Sequence, residues 1–267
     1  MSRRDALARA RAALEAAGVP GAARDAEILM RAVAGPVEAP DAAALARFEA
    51  LVARRAAREP VSHLTGRRAF WRHEFEVTPD VLDPRPETET LVAAALAAPF
   101  ARLLDLGTGS GCILCSLLAE RPEATGLGTD VSDAALAVAR RNAAATGVAA
   151  RAEFSRADWL DGVEGPFDLI VSNPPYIAED EMAALLPEVL REPRGALTPG
   201  GDGLDAYRVI ARDAPARLAP GGRLMVEIGP TQGDAVAALF RDAGLAGIAI
   251  RPDLDGRDRV VQAEKPR

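Results

Sequence analysis

From Ala101 onward the chain alternates short apolar runs with stretches of helical spacing, and that alternation constrains the fold more than any other feature. Strands that alternate with helices pair in parallel, because each helix carries the chain back across the sheet. A mostly parallel sheet covered on both faces is therefore expected, an α/β fold. The expected strands are residues 102–106, 124–130, 150–156, 167–171 and 222–229, with 247–251 and 259–263 as a closing pair. Helices are expected over 110–120, 132–146, 204–218 and 232–243.

Residues 3–58 carry helical spacing only. The first helix stops at Gly18-Val19-Pro20, the second spans about 22–34, and the third follows the cap Asp41. In the third, Leu45, Phe48, Leu51 and Val52 are expected inward, and Arg54, Arg55 and Arg58 outward. Phe70–Val77 then alternates aromatic and β-branched residues before the turn residues Thr78-Pro79-Asp80, which predicts a β-hairpin linker. The domain reading is a small all-α domain over 1–59, the linker over 60–90 and the sheet domain over 91–267. A chain of 267 residues, 49% hydrophobic, can bury a core in each of two domains.

The formal charge of -7 opposes broad attraction to a nucleic-acid backbone, so no direct nucleic-acid partner is expected. No apolar run approaches the length of a membrane span. Met1-Ser2-Arg3-Arg4-Asp5 leads into an Ala/Arg helix rather than an apolar signal region, which predicts a cytoplasmic protein. Cys112 and Cys115 form Cys-x-x-Cys, yet there is no second pair, and His63 and His73 lie far away in sequence. Both cysteines are expected as small buried residues on one helix face, with no metal site.

Two loops carry the chemistry. Asp105-Leu106-Gly107-Thr108-Gly109-Ser110-Gly111 joins the first expected strand to a helix. Glycines there let the backbone approach a ligand closely. The dinucleotide fingerprint needs its third glycine where Cys112 stands, and the Lys-Ser/Thr of a phosphate-binding loop is absent. Asp130 ends the second strand roughly 20 residues further on, where an acid can hold ribose hydroxyls. Asp158 and Trp159 follow the third strand, a carboxylate for an amino group and an indole for a ring face. Together these residues describe an adenosine pocket.

The second loop is Asn173-Pro174-Pro175-Tyr176, after the strand Phe167–Val171. Ligands bind beyond the carboxyl ends of such strands. The prolines stiffen the loop and have no N–H to give, so an amide side chain, carbonyl oxygens and an aromatic ring are held ready for a planar group with N–H donors. The segment Pro84-Arg85-Pro86-Glu87-Thr88-Glu89 has two readings: a proline-fixed helix start with acids in its first turn, or a loop over the cofactor pocket with Arg85 and Glu87 as contacts.

Gly-x-Gly-x-Gly after an acid resembles motif I of class I methyltransferases, and Asn-Pro-Pro-Tyr resembles the motif of amino methyltransferases that act on planar nitrogen. With Pro84–Glu89, Glu192-Pro193-x-x-Ala196-Leu197, Gly200-Gly201-x-Gly203-Leu204 and Asp255–Val261, the chain resembles the release factor glutamine methyltransferases, the HemK or PrmC family, most specifically over 60–265. It departs from the family's pattern at Asp83, usually apolar, and at Ser62-His63-Leu64-Thr65, usually Gln-Tyr-Ile-Leu. The resemblance implies a Rossmann-like sheet and S-adenosylmethionine as cofactor, with S-adenosylhomocysteine as product. It implies a cofactor site of Gly107, Thr108, Gly109, Ser110, Gly111, Asp130, Asp158, Trp159 and Asn173. The substrate loop is Asn173 to Tyr176, with Asn173, Pro174 and Tyr176 as catalytic residues. The implied reaction methylates N5 of the glutamine in the Gly-Gly-Gln loop of class 1 peptide-chain release factors, and a monomer is expected. Alternatives are a ribosomal-protein glutamine methyltransferase, a DNA adenine methyltransferase, and an adenosine-binding sensor without turnover.

Overall fold

The computed structural model describes residues 1–267, which divide into two units. One joins Met1–Arg67 to Leu185–Arg191; the other joins Arg68–Ala184 to Glu192–Arg267.

The first unit is helical: α1 (Arg3–Ala16), α2 (Ala22–Ala34), α3 (Ala42–Ala56) and the short α4 (Val61–Thr65). Ser2 and Asp5 form a capping box on α1, and the Asp41 side chain accepts from the Ala44 N–H at the start of α3. These caps satisfy amides that have no partner within the helix. Leu14, Leu29, Met30 and Phe48 are fully buried at its centre. Arg55 corrects the expectation of an outward arginine face, being only 5% exposed. It donates to Asp25 at 2.7 Å and to Glu188 at 3.0 Å, and Arg58 also binds Glu188. Helical spacing does not distinguish a solvated arginine from one neutralised by acids on other segments.

The second unit begins within β1 (Arg67–Phe70), which pairs with β2 (His73–Glu76) as a two-stranded hairpin. Its reversal falls at Trp71-Arg72 rather than after Val77, with Trp71 in the left-handed region at φ 53. Long-range contacts hold it there: the Trp71 N–H donates to Glu89 and its indole N–H to Glu120. Then follow α5 (Glu89–Leu96), β3 (Arg102–Leu106), α6 (Cys112–Glu120), β4 (Thr125–Asp130), α7 (Asp133–Ala145), β5 (Ala152–Arg156) and β6 (Phe167–Ser172). The chain ends with α8 (Arg194–Leu197), α9 (Asp205–Arg217), β7 (Leu218–Glu227), α10 (Gly233–Asp242), β8 (Ala246–Pro252) and β9 (Asp258–Glu264).

The sheet order is β5-β4-β3-β6-β7-β9-β8, parallel except where β9 meets its two neighbours. Alternate strand residues enter opposite cores. Leu103, Leu169 and Val171 join one, while Leu104, Ile170 and Leu224 join the other. Cys112 and Cys115 are free and buried on α6, where burial raises the Cys115 thiol to about 12. The chain leaves β3 toward β4 on one side, and β6 flanks β3 on the other. Leu106 aligns with Ser172, so Gly107 and Asn173 leave the sheet side by side. Such a switch point opens a crevice at the strand ends.

Candidate active site

At that crevice lies a cavity of about 250 Å³, lined from both loops. Gly107, Thr108, Gly109, Ser110, Asp130, Trp159, Asn173 and Pro175 all face it. Gly111, Asp158, Pro174 and Tyr176 do not line it. Gly111 instead makes the turn into α6 with φ +77, and an added Cβ would stand 3.1 Å from that of Ala139. Asp158 is exposed on the turn before Trp159. Pro174 is buried, and Tyr176 packs partly buried against the second core, where burial raises its hydroxyl to about 12.

The glycine loop is held from below and from the side. Thr108 donates its N–H to Thr129 and its hydroxyl to Asp105 at 2.6 Å. Asp105 is fully buried with one unpartnered oxygen, and burial raises its carboxyl to about 7 despite the Thr108 bond. Asp130 accepts N–H bonds from Gly109 at 3.0 Å and Ser132 at 2.9 Å, so one carboxylate joins the loop to the end of β4. Those bonds leave it lone pairs for hydroxyl donors. Gly107 and Gly109 carry no side chain where a Cβ would find open space. A side-chain-free backbone cradle, an acid at the strand end and an indole suit a nucleoside.

Asn142 on α7 is a part of this site that helical spacing alone could not single out. It is 1% exposed, accepts from the Glu76 N–H, and donates to the carbonyls of Glu76 and Ser110. The hairpin and the glycine loop are thereby stapled to one amide. Asn142→Ala removes all three of these hydrogen bonds and is expected to cost about 2 kcal/mol of stability, read from denaturant unfolding.

The Asn-Pro-Pro-Tyr loop is fixed from the other side. Ser172 donates its hydroxyl to Leu106, Ile177 donates to Leu197, and Gln232 donates to the Tyr176 carbonyl at 2.9 Å. Gly203 approaches so closely that an added Cβ would collide with the Tyr176 carbonyl, the physical reason for a glycine there. Asn173 donates from Nδ2 to the Thr88 hydroxyl at 3.1 Å. Of the two readings of the Pro84–Glu89 segment, the helix start holds, and the loop over the cavity holds for Arg85 but not for Glu87. Pro86–Thr88 is a 3-10 turn leading into α5, while Arg85 lines the cavity and Glu87 is exposed outside it. Glu192 binds the Asp83 N–H and the Arg85 guanidinium, joining two motifs far apart in sequence. Asp83 is buried with its carboxylate 3.7 Å from both Arg68 and Arg85.

Sheet order, strand-end crevice and glycine loop together define the Rossmann-like fold of class I methyltransferases. The solved methyltransferase from Pyrococcus furiosus shares the fold, with a TM-score of 0.58 at 16% identity over 82% of this chain and 98% of that one. Residues 86–204 match the methyltransferase small domain, and residues 5–66 match the PrmC N-terminal domain. The release factor glutamine methyltransferase of Cereibacter sphaeroides is 60% identical over 98% of each chain. That of Caulobacter vibrioides is 45% identical over 94% of this chain and 92% of its own. The chain belongs to the release factor glutamine methyltransferase family.

Proposed function

We propose that this protein methylates a glutamine side chain of a peptide-chain release factor, at N5 of the Gly-Gly-Gln loop of class 1 factors, with S-adenosylmethionine as donor. The observation that carries the reading is the junction of the two loops: one cavity bounded by the glycine cradle with Asp130 and by Asn173. Gly107–Ser110, Asp130 and Trp159 are the residues proposed to hold the cofactor. When bound, it supplies a methyl group made electrophilic by its sulfonium.

A glutamine amide nitrogen is a poor nucleophile because its lone pair is delocalised into the carbonyl. The Asn173 Oδ1 and the Pro174 carbonyl are proposed to accept its two N–H bonds, which turns the lone pair out and favours loss of planarity as the new bond forms. Fixed dipoles at a proline-stiffened strand end are already oriented for that change. Tyr176 is proposed to pack against the substrate amide. The acidic charge of the chain favours a protein over a nucleic acid as substrate. No helix is long and apolar enough to cross a membrane, and we propose a cytoplasmic monomer.

Incubation with labelled S-adenosylmethionine and, separately, release factor, ribosomal proteins and DNA, with mass mapping of the label, tests the assignment. Label on the Gly-Gly-Gln glutamine is expected; label confined to a ribosomal protein or DNA would overturn it. Asp130→Ala is expected to weaken cofactor binding by about 1.5–3 kcal/mol, the range for hydrogen bonds to a charged group. Calorimetry checks it, and unchanged affinity in a folded variant would remove Asp130 from the site.

A further inference from the structure

Pro174 and Pro175 have no N–H with which to hold their loop from within, so its placement depends on what grips the residues at either end. At the entrance the grip is the sheet itself. Ser172 stands in register with Leu106 on one side and Val226 on the other, and its hydroxyl donates to the Leu106 carbonyl at 2.8 Å. At the exit two hydrogen bonds hold adjoining residues. The Ile177 N–H donates to the Leu197 carbonyl at 3.0 Å, and the Gln232 side chain donates to the Tyr176 carbonyl at 2.9 Å.

Gln232 stands on the turn between β7 and α10, and main-chain groups with no choice of role fix which way its amide faces. Oε1 receives the Gly229 N–H at 3.0 Å, a group that only donates, while Nε2 faces the Tyr176 carbonyl, which only accepts. The Gln232 N–H closes the turn on the Gly229 carbonyl at 3.0 Å, so the side chain leaves from a fixed base. Two glycines make room for it. A Cβ added to Gly229 would stand 3.0 Å from Oε1, and one added to Gly203 would stand 3.0 Å from Nε2 and press on the Tyr176 carbonyl. Three turns, after β6, before α9 and after β7, thus meet on one carboxamide.

We infer that Gln232 is a positioning residue for methyl transfer: by holding the Tyr176 carbonyl it sets where Asn173 Oδ1 and the Pro174 carbonyl meet the substrate amide. The inference rests on the reading of residues 173–176 as the substrate loop. A flexible loop would absorb a displaced exit within itself. Here two fixed φ angles in succession pass the displacement on toward the reacting end, where rate falls steeply with misplacement. Gln232 does not line the cavity, and Gly107–Ser110, Asp130 and Trp159 reach it from other strand ends. The expected signature is therefore slower transfer with unchanged cofactor binding.

Gln232→Met keeps the length of the side chain without its donor or acceptor. Its single-turnover rate at saturating cofactor and release factor is expected to fall about tenfold, the effect of one neutral hydrogen bond. The cofactor dissociation constant from calorimetry and the half-saturating release factor concentration are expected to keep their wild-type values. Gln232→Glu at alkaline pH retains the acceptor for Gly229 but sets an ionised oxygen against the Tyr176 carbonyl, and is expected to be at least as slow. A Gln232→Met rate equal to wild type, or a loss of cofactor affinity matching the loss of rate, would overturn the inference. If Gln232→Met does not fold, Gln232→Glu decides alone by the same two readouts. A slow Asn173→Ala beside a normal Gln232→Met would overturn only the role of Gln232, whereas a normal Asn173→Ala would overturn the reading of the loop and the inference with it.

Discussion

Asn173→Ala is expected to lower kcat by roughly 10²–10³, the loss typical of one preorganised polar group at a reacting centre. The side chain stands where β6 ends, anchored through Nδ2 to Thr88, and lines the same cavity as the glycine loop. Removing it deletes the acceptor proposed for the substrate nitrogen as it changes geometry. Cofactor affinity is expected to fall only modestly, because Gly107–Ser110, Asp130 and Trp159 are untouched. Asn173→Asp sharpens the test. It keeps an acceptor oxygen but loses the donor to Thr88 and adds a negative charge beside a cationic cofactor, which tightens the ground state without helping transfer. The expected order is Asp above Ala in cofactor binding, with both slow in turnover. Single-turnover rates near wild type for Asn173→Ala would transfer the role to Pro174 and proximity alone.

Arg55→Met is expected to destabilise the helical unit by about 3–5 kcal/mol, the cost of breaking a buried ion pair from one side. Arg55 donates to Asp25, to Glu188 and to the Glu59 carbonyl, and the substitution leaves two acids close together with only Arg58 to offset them. Denaturant unfolding checks the magnitude; a loss under about 1 kcal/mol would mean the acids find water without cost. The same cluster predicts acid sensitivity. Burial would raise the Glu188 carboxyl, but its bonds to Arg58 and Arg55 outweigh burial and hold it below the usual range. A carboxyl depressed in the folded state contributes stability above its unfolded value, and that contribution is lost as pH falls through the folded one. Glu188→Gln is therefore expected to be less stable than wild type at neutral pH and to lose less on acidification.

Alternating strands and helices, the glycine turn after β3 and the proline loop after β6 were legible in the chain because each depends on residues close in sequence. Period, turn chemistry and strand ends are local properties. The same locality explains why Gly107–Ser110, Asp130, Trp159 and Asn173 could be expected at one crevice, since every one of them sits at or just beyond a strand end. Tertiary structure alone decided which flanking groups complete the site. Tyr176 turns toward the second core, and Asp158 sits exposed outside the cavity. Asn142 reaches the glycine loop from the last turn of α7, and Thr88 meets Asn173 from a segment far away along the chain. Arg55 turns inward because Asp25 and Glu188 lie beside it, and residues 185–191 join the helical unit although they follow the proline loop. Each of these depends on a partner far away along the chain, and the worth of a buried polar group is set by that partner rather than by its own neighbours.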